Sequence, residues 1–333
     1  MFKHWQKTCV FLTRRCNLRC RGCNVINFQS AYEMTTDEWK KAFDIMRNYG
    51  VGFIVLFGGE PTLRDDLPEI VKYLNEIDMP HTIITNGTIL LRDEEYYWKL
   101  LKAKPYGISV SVNTLKPTTK FHDDLKSDVG HKVLLKLLKD YPECDKVANM
   151  AVTRENIELL PEIVSYFSNL GVWSILSFFH VSPQREAMYW KYRGPVDKDN
   201  RSLVFREEDE GMISRIAQWF INHYDELKLH NRKEYFEVWR KYGVKQNWHC
   251  RDWTCPAINP DGSLMACIDR ELTKSFNILD LPQKEKEVYE DFKYVIKGCH
   301  GFWDHMWETG SYAAENKAEL GKKRFSHQSN KDE

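Results

Sequence analysis

Cys16, Cys20 and Cys23 stand in the order Cys-x3-Cys-x2-Cys, directly after the short apolar run Cys9 to Leu12. Thiolate is the ligand that iron–sulfur clusters take, so three thiolates on one tight loop can hold three irons of a [4Fe–4S] cluster. Such a cluster ordinarily takes four protein ligands. Three leave one iron open to a substrate or cosubstrate, much as an open position marks a catalytic zinc. Zinc, or plain burial of the thiols, is the alternative reading of this loop. Zinc prefers a fourth Cys or His close by, and no His lies between Cys9 and Tyr32. A disulfide with a spare thiol fits poorly, because Met1-Phe2-Lys3-His4-Trp5 begins no signal peptide and cytosolic thiols stay reduced. The expected location is the cytoplasm.

A second group, Cys250, Cys255, Cys267 and Cys299, lies far along the chain, and Cys9 and Cys144 stand apart. Clustered cysteines in such a chain point to metal. The 48 basic residues balance 48 acidic ones, which removes the overall field that draws in nucleic acid or an anionic membrane. No apolar stretch approaches the ~20 residues of a transmembrane helix. The 333 residues suit one large domain with an appendage, or two domains, and 42% hydrophobic content suffices for a buried core.

The elements that must position these cysteines alternate. Expected strands are Thr8–Thr13, Phe53–Phe57, His81–Thr85, Gly107–Val112, Val147–Val152 and Trp173–Phe179. Helical patterns separate them: Thr36 to about Tyr49, Leu67–Ile77, Asp93–Ala103, Lys132–Leu138 and Asn156–Leu170. Six strands in strand–helix alternation argue for a parallel α/β sheet forming an open or partial barrel. Active sites of such folds gather at the C-terminal strand ends, where the first cysteine loop sits. From Glu208 to Leu227 an amphipathic helix is expected to pack Met212, Ile216, Trp219, Phe220 and Tyr224 into the core, with a shorter helix about Glu234–Tyr242 after it. Asn259-Pro260-Asp261-Gly262 reads as a hairpin turn, and the tail from about Ala313 as charged and helical or frayed.

Cys16 to Cys23 after the first strand resembles the cluster loop of the radical S-adenosylmethionine (SAM) superfamily, and the first half matches that family in order. Gly58-Gly59-Glu60-Pro61 after the second strand resembles its GGEP motif: bare glycines let backbone approach a ligand, and Glu60 can pair with an ammonium. Thr85-Asn86-Gly87 ends strand three, where the family often contacts the amino-acid part of SAM. Ser111-Val112-Asn113 is similar to its Ser-x-Asp segment for ribose and carboxylate, with an uncharged Asn113 replacing Asp. Arg154, just past strand five, is a candidate partner of the SAM carboxylate. Gly22 departs from the aromatic residue usual before the third cysteine, so adenine packing must come from elsewhere. The resemblance covers roughly residues 5–180. It implies a partial (β/α)6 TIM barrel of radical SAM type.

What the family implies is a mechanism: SAM bound at the open iron is cleaved reductively to methionine and a 5′-deoxyadenosyl radical that abstracts hydrogen. A flavodoxin or ferredoxin-type reductant is an implied partner.

Cys250 with Gly262-x4-Cys267 resembles the auxiliary-cluster region of the SPASM/twitch subfamily. The set Cys250, Cys255, Cys267 and Cys299 matches one auxiliary [4Fe–4S] cluster, with a structural zinc as the alternative and His249 or His300 as possible substitutes for a thiolate. Expected boundaries are a barrel over 1–182, a helical connector over 183–248, and an auxiliary-cluster region with tail over 249–333. His180 faces the expected mouth as a substrate contact or a structural histidine; Asp304 and His305 are expected at the surface or behind the ligands.

The expected substrate is a small molecule or a peptide, since the first strand begins almost at once and leaves no room for a preceding peptide-recognition domain. Eight of the eleven tryptophans follow residue 170, and that aromatic second half suits either kind of substrate. Radical addition to an alkene, RNA modification and a zinc-stabilised, non-catalytic binding protein are the competing readings.

Overall fold

Six parallel strands form the frame: β1 Lys7–Thr13, β2 Phe53–Gly58, β3 His81–Thr85, β4 Gly107–Ser111, β5 Asp145–Val152 and β6 Trp173–Phe178. The computed structural model describes residues 5–20, 23, 25–27, 30–115, 124–179, 203–243, 255–268 and 270–296. Sheet order is β6-β5-β4-β3-β2-β1-β7-β8-β9, so each of the first six strands lies beside its chain neighbour. Each connection passes through helix: α1 Thr36–Asn48, α2 Leu67–Glu76, α3 Thr88–Arg92 with α4 Glu94–Lys102, α5 Asp124–Asp140 and α6 Leu160–Asn169. The sheet is an unclosed barrel, and all six expected strands are present within two residues of their expected ends.

Alternate residues of the strands take opposite faces. Val10, Leu12, Ile54, Leu56, Ile83, Val110 and Met150 pack outward against the helices, joining Trp39, Phe43 and Leu74 in one core. Cys9, Phe11, Phe53 and Val55 point to the other face and form a separate apolar cluster with Cys255, Ala257 and Met265. Both faces of β1 and β2 are thus covered, which explains their unbroken apolar sequence.

Helix α1 starts at Thr36, as expected. Thr35 is its N-cap, its side chain accepting from the Glu38 amide, and the Glu38 carboxylate accepts in turn from the Thr35 amide in a capping box. Helix α5 runs well beyond the expected Lys132–Leu138. Helices α7 (Glu210–His223) and α8 (Lys233–Tyr242) stack Phe220 on Phe236 at 4.7 Å between ring centres, and Trp239 meets Phe178 of β6 at 4.0 Å. Of the expected stripe, Ile216 and Phe220 are buried in the core, while Met212, Trp219 and Tyr224 are half-buried against it.

The hairpin β7 (Ala257–Ile258) and β8 (Leu264–Cys267), followed by β9 (Arg270–Glu271), extends the barrel sheet. β7 runs parallel to β1, pairing Cys9 with Ala257 and Val10 with Ile258. Helix α9, Leu281–Ile296, closes the described chain; the sequence reading did not place it. Gly262 turns the hairpin at φ +83°, and a Cβ there meets Met34 Sδ at 2.6 Å, so the turn requires glycine twice over. Among the described residues no helix is long and apolar enough to cross a membrane.

Candidate functional site

The cysteine loop leaves β1 at its C-terminal end and is braced from below by the end of β2. The Gly59 amide donates to Thr13 O and the Glu60 amide to Arg15 O, both at 2.8 Å. A Cβ on Gly58 falls 2.2 Å from Thr13 O, and one on Gly59 falls 2.1 Å from Arg15 O. The sequence reading gave these glycines to the approach of a ligand. In the structure their bare faces are filled by the chain's own loop, so the Gly-Gly pair is first a seat for the residues leading into Cys16.

Glu60 is buried at the strand ends. Its Oε1 accepts from Thr62 N (3.1 Å), Thr62 Oγ1 (2.6 Å) and Thr85 Oγ1 (2.7 Å), and its Oε2 accepts from Asn86 N (2.7 Å). Burial pushes this carboxyl above the ordinary glutamate range, against the pull of those donors. Asn86 carries the network onward. Its Nδ2 donates to Asn17 Oδ1 (2.9 Å), while its Oδ1 accepts from Thr88 N (2.9 Å) and Thr88 Oγ1 (2.6 Å). Asn17 Nδ2 donates back to Thr88 Oγ1 at 2.6 Å. Asn17 follows Cys16 directly, so the loop is tied to the end of β3 through side chains that sequence reasoning missed, Asn17 and Thr88.

Cys16 and Cys20 are half-buried and Cys23 is exposed. The Cys23 amide donates to Cys20 O (3.2 Å), and Arg19 Nη1 donates to Cys16 O (2.8 Å) and Leu18 O (2.9 Å), folding the loop on itself. Burial pushes the Cys16 thiol up; the Leu18 amide, 3.4 Å from its sulfur, opposes this, and the Glu60 and Cys23 charges add to it. Among the described residues no three His, Cys, Asp or Glu side chains stand in metal-holding geometry. The donor set itself suits an iron–sulfur cluster: three thiols on one loop, reachable from solvent, at the strand ends.

Two other features tie this end together. Arg64 is buried and donates to Leu12 O and Met34 O, both at 3.1 Å, while binding Asp66. Arg14 Nη2 donates to Asn259 Oδ1 of the hairpin turn and lies over the Phe11 ring at 3.7 Å. The expected turn residues thus reach the base of the cysteine loop.

The strand-four and strand-five candidates serve the frame. Asn113 Oδ1 accepts from Ala151 N (2.9 Å), and its own amide donates to Ser127 Oγ (3.0 Å). Ser111 is half-buried, with its backbone oxygen against Gly130. Arg154 is held by Asp209 (2.9 Å) and Glu208 (2.5 Å), both at the start of the helical region after β6.

In the second group, Cys255 is buried with its sulfur 3.6 Å from Cys9 Sγ, and Cys267 is half-buried at the end of β8. Cys9, a residue that stands alone in the sequence, is therefore not alone in the fold. Lys7 lies over the Phe53 ring at 5.2 Å, and burial lowers its ammonium to about 8 against the opposing pull of the Cys255 and Cys9 charges. Cys144 is simply buried, its thiol donating to Asp145 O at 3.3 Å. Gly22, His180, His249, Cys250, Cys299, His300, Asp304 and His305 lie outside the described residues.

Residues 10–167 match the Radical SAM superfamily. The chain is 38% identical over 111 residues to Fe-coproporphyrin III synthase of Methanosarcina barkeri, a match spanning 32% of this chain and 27% of that protein. It is 25% identical over 317 residues to the "Probable GTP 3′,8-cyclase" of Thermococcus kodakarensis, spanning 88% of this chain and 95% of that protein. Among solved structures, Streptococcus suis SuiB bound to its precursor peptide SuiA superposes with a TM-score of 0.62 at 15% identity, over 90% of this chain and 67% of SuiB.

Proposed function

From a chain that belongs to the radical SAM superfamily, with its domain over residues 10–167, we propose an enzyme that cleaves SAM reductively and abstracts hydrogen from a small molecule or a peptide. The observation that carries this reading is the loop of Cys16, Cys20 and Cys23, seated on Gly58-Gly59 and tied by Asn17 to the end of β3. When bound there, a [4Fe–4S] cluster supplies the electron that splits SAM to methionine and a 5′-deoxyadenosyl radical.

The chain's own residues do the rest. The three thiolates hold the cluster through one loop, and Gly58 and Gly59 fix where that loop begins. Glu60 offers Oε2, which carries a single hydrogen bond here, to the SAM ammonium. A cation beside that buried carboxyl lowers the cost of its charge. Thr85, Asn86, Ser111 and Asn113 stand at the neighbouring strand ends, and the reading keeps them as contacts to the amino-acid and ribose parts, with Asn113 Oδ1 already engaged by Ala151 N. Arg154 reaches a SAM carboxylate only by leaving Glu208 and Asp209, so its role there is the weaker one.

The second half of the proposal is an auxiliary [4Fe–4S] cluster held by Cys250, Cys255, Cys267 and Cys299, which assists oxidation of the substrate radical or binds substrate. The Gly262 turn and Cys267 at the end of β8 support it. The reading keeps the barrel over 1–182, the connector over 183–248 and the cluster region over 249–333, with a flavodoxin or ferredoxin-type protein as electron donor. The near full-length match to a protein named for GTP cyclisation favours a metabolite, and the peptide-bound SuiB fold favours a peptide.

The test is anaerobic reconstitution with iron and sulfide, then dithionite and SAM. About eight irons per chain and formation of 5′-deoxyadenosine are expected, on the basis of two four-iron clusters. Cys20→Ala abolishes SAM cleavage, while Cys267→Ala retains some cleavage and loses product. An anaerobically reduced protein that neither perturbs its cluster spectrum on adding SAM nor cleaves it ends the proposal.

A further inference from the structure

The strand seam between β1 and β7 holds two sulfurs that the radical chemistry does not use together. Cys9 and Cys255 are separated by 246 residues in sequence, yet their Sγ atoms stand 3.6 Å apart. Both side chains are almost wholly buried, at 2% and 4% exposure, among Phe11, Phe53, Val55, Ala257 and Met265. Backbone geometry fixes the pair: the Cys9 amide donates to Pro256 O at 3.0 Å, and Pro256 follows Cys255 directly. The proline ring holds its own φ and restricts Cys255 before it, so this juxtaposition is built into the chain path.

Two sulfurs in contact need to close from 3.6 Å to about 2.05 Å to bond, a movement of about 1.5 Å. The match of Cα and Cβ positions that a disulfide demands is the usual obstacle. Here the strand pairing of Cys9 with Ala257 and the neighbouring amide bond already bring the two backbones together.

We propose that Cys9 and Cys255 form a redox-modification site, oxidised by a hydroperoxide to a disulfide that staples β7 to β1. One cysteine gives up its thiol proton and its sulfur attacks the peroxide O–O bond, giving a sulfenic acid and a hydroxide that takes up that proton as the first water. The other cysteine's sulfur then displaces the sulfenic hydroxyl, which leaves as water, and the S–S bond forms. Two thiols and one hydrogen peroxide become one disulfide and two waters, so the sulfurs lose two electrons and the peroxide gains them. Peroxide is small and uncharged, which suits a seam closed to larger thiol reagents.

The consequence rests on the auxiliary-cluster reading above. A Cys255 sulfur bonded to Cys9 cannot also bind iron, so metal and disulfide exclude each other. Cys9 is then a second claimant on a ligand, and oxidation of the metal-free chain withdraws that ligand from the C-terminal centre.

The experiment uses the full chain in two forms, metal-free after chelation and reconstituted anaerobically with iron and sulfide. Each is exposed to one equivalent of hydrogen peroxide, alkylated, digested without reduction and mapped by mass spectrometry. The expected result is a Cys9–Cys255 crosslinked peptide in the metal-free form, at least tenfold more abundant than in the reconstituted form. Cys9→Ala abolishes the crosslink and restores iron uptake after peroxide treatment; Cys9→Ser, which keeps one heavy atom beyond Cβ, gives the same result where alanine disturbs packing. Crosslinks of Cys255 to another cysteine, or none involving Cys9 in either form, overturn the site. Equal crosslinking in both forms upholds the dithiol and overturns Cys255 as a cluster ligand.

Discussion

An alanine at Gly59 places a methyl carbon 2.1 Å from the Arg15 carbonyl oxygen and 2.8 Å from that of Arg14, backbone that cannot swing aside as a side chain would. Gly59→Ala is expected to destabilise the fold by about 2 kcal/mol or more, in the range of overpacked cores, and to lower iron content by displacing the loop. Thermal melting and iron analysis of the same preparation check both effects. Asn17→Ala removes one donor and one acceptor from the tie to Asn86 and Thr88. The expected cost is about 1–3 kcal/mol, read as a lower melting temperature and as a changed signal of the reduced cluster in electron paramagnetic resonance, with Asn17→Asp rescuing less than half. The cysteines themselves were plain in the sequence because their type and spacing carry their chemistry. Asn17, Thr88 and Arg64 were not, because a hydrogen-bonding residue declares its partner only when the fold brings that partner within 3 Å. Glu60 lies between these cases: the Gly-Gly-Glu-Pro pattern marked it, but nothing in sequence showed that three of its hydrogen bonds go to Thr62 and Thr85.

Strand and helix positions were legible because buried parallel strands read as apolar runs and amphipathic helices keep a 3.6-residue period. The expected Phe53–Phe57 run is found, and the expected helix from Thr36 buries one face of Trp39, Ala42, Phe43 and Met46. Helix α5 was underestimated because its first turns, Asp124 to His131, carry only two large apolar residues, Leu125 and Val129, among charged and small ones. The short β7 escaped notice for another reason: two residues, Ala257 and Ile258, carry no period at all. At the base of β6, His230 packs on Trp173 at 5.1 Å between rings, and its amide donates to Ser174 O. Burial, aided by the Lys7 charge, pushes its imidazole down from 6.5 to about 4. The unfolded chain therefore binds a proton that the folded one refuses between those values, so stability falls as pH drops from 6.5 toward 4 and is unaffected above 6.5. The loss from this residue reaches about 3 kcal/mol. Denaturant unfolding of wild type and His230→Phe at pH 7 and pH 5 checks it: the variant loses less on acidification.

A whole-molecule view puts the C-terminal hairpin inside the barrel sheet, where sequence alone suggested an appended region. β1 is paired on one side by β2 and on the other by β7, and Asn259 of the hairpin turn reaches Arg14 beside the cysteine loop. Cutting the chain after residue 182 bares the β1 edge along with Cys9 and Phe11, which are 2% and 3% exposed in the whole chain. Such an edge invites strand pairing between molecules. The truncated protein is expected to elute as dimers or larger species in size-exclusion chromatography, whereas a monomeric, loop-intact fragment would contradict the pairing. Long-range sheet membership of this kind is hard to read from sequence, since no local pattern tells a two-residue strand which edge it will join.

The partner of that edge is also made long after it. Cys9 leaves the ribosome some 246 residues before Cys255, and at 5–20 residues per second the delay is about 12–50 s. Throughout that interval a nascent barrel offers an open, greasy border to the cell. Slower growth temperatures or a chaperone that shields β1 are therefore expected to raise soluble yield, more than any change at the cysteine loop itself.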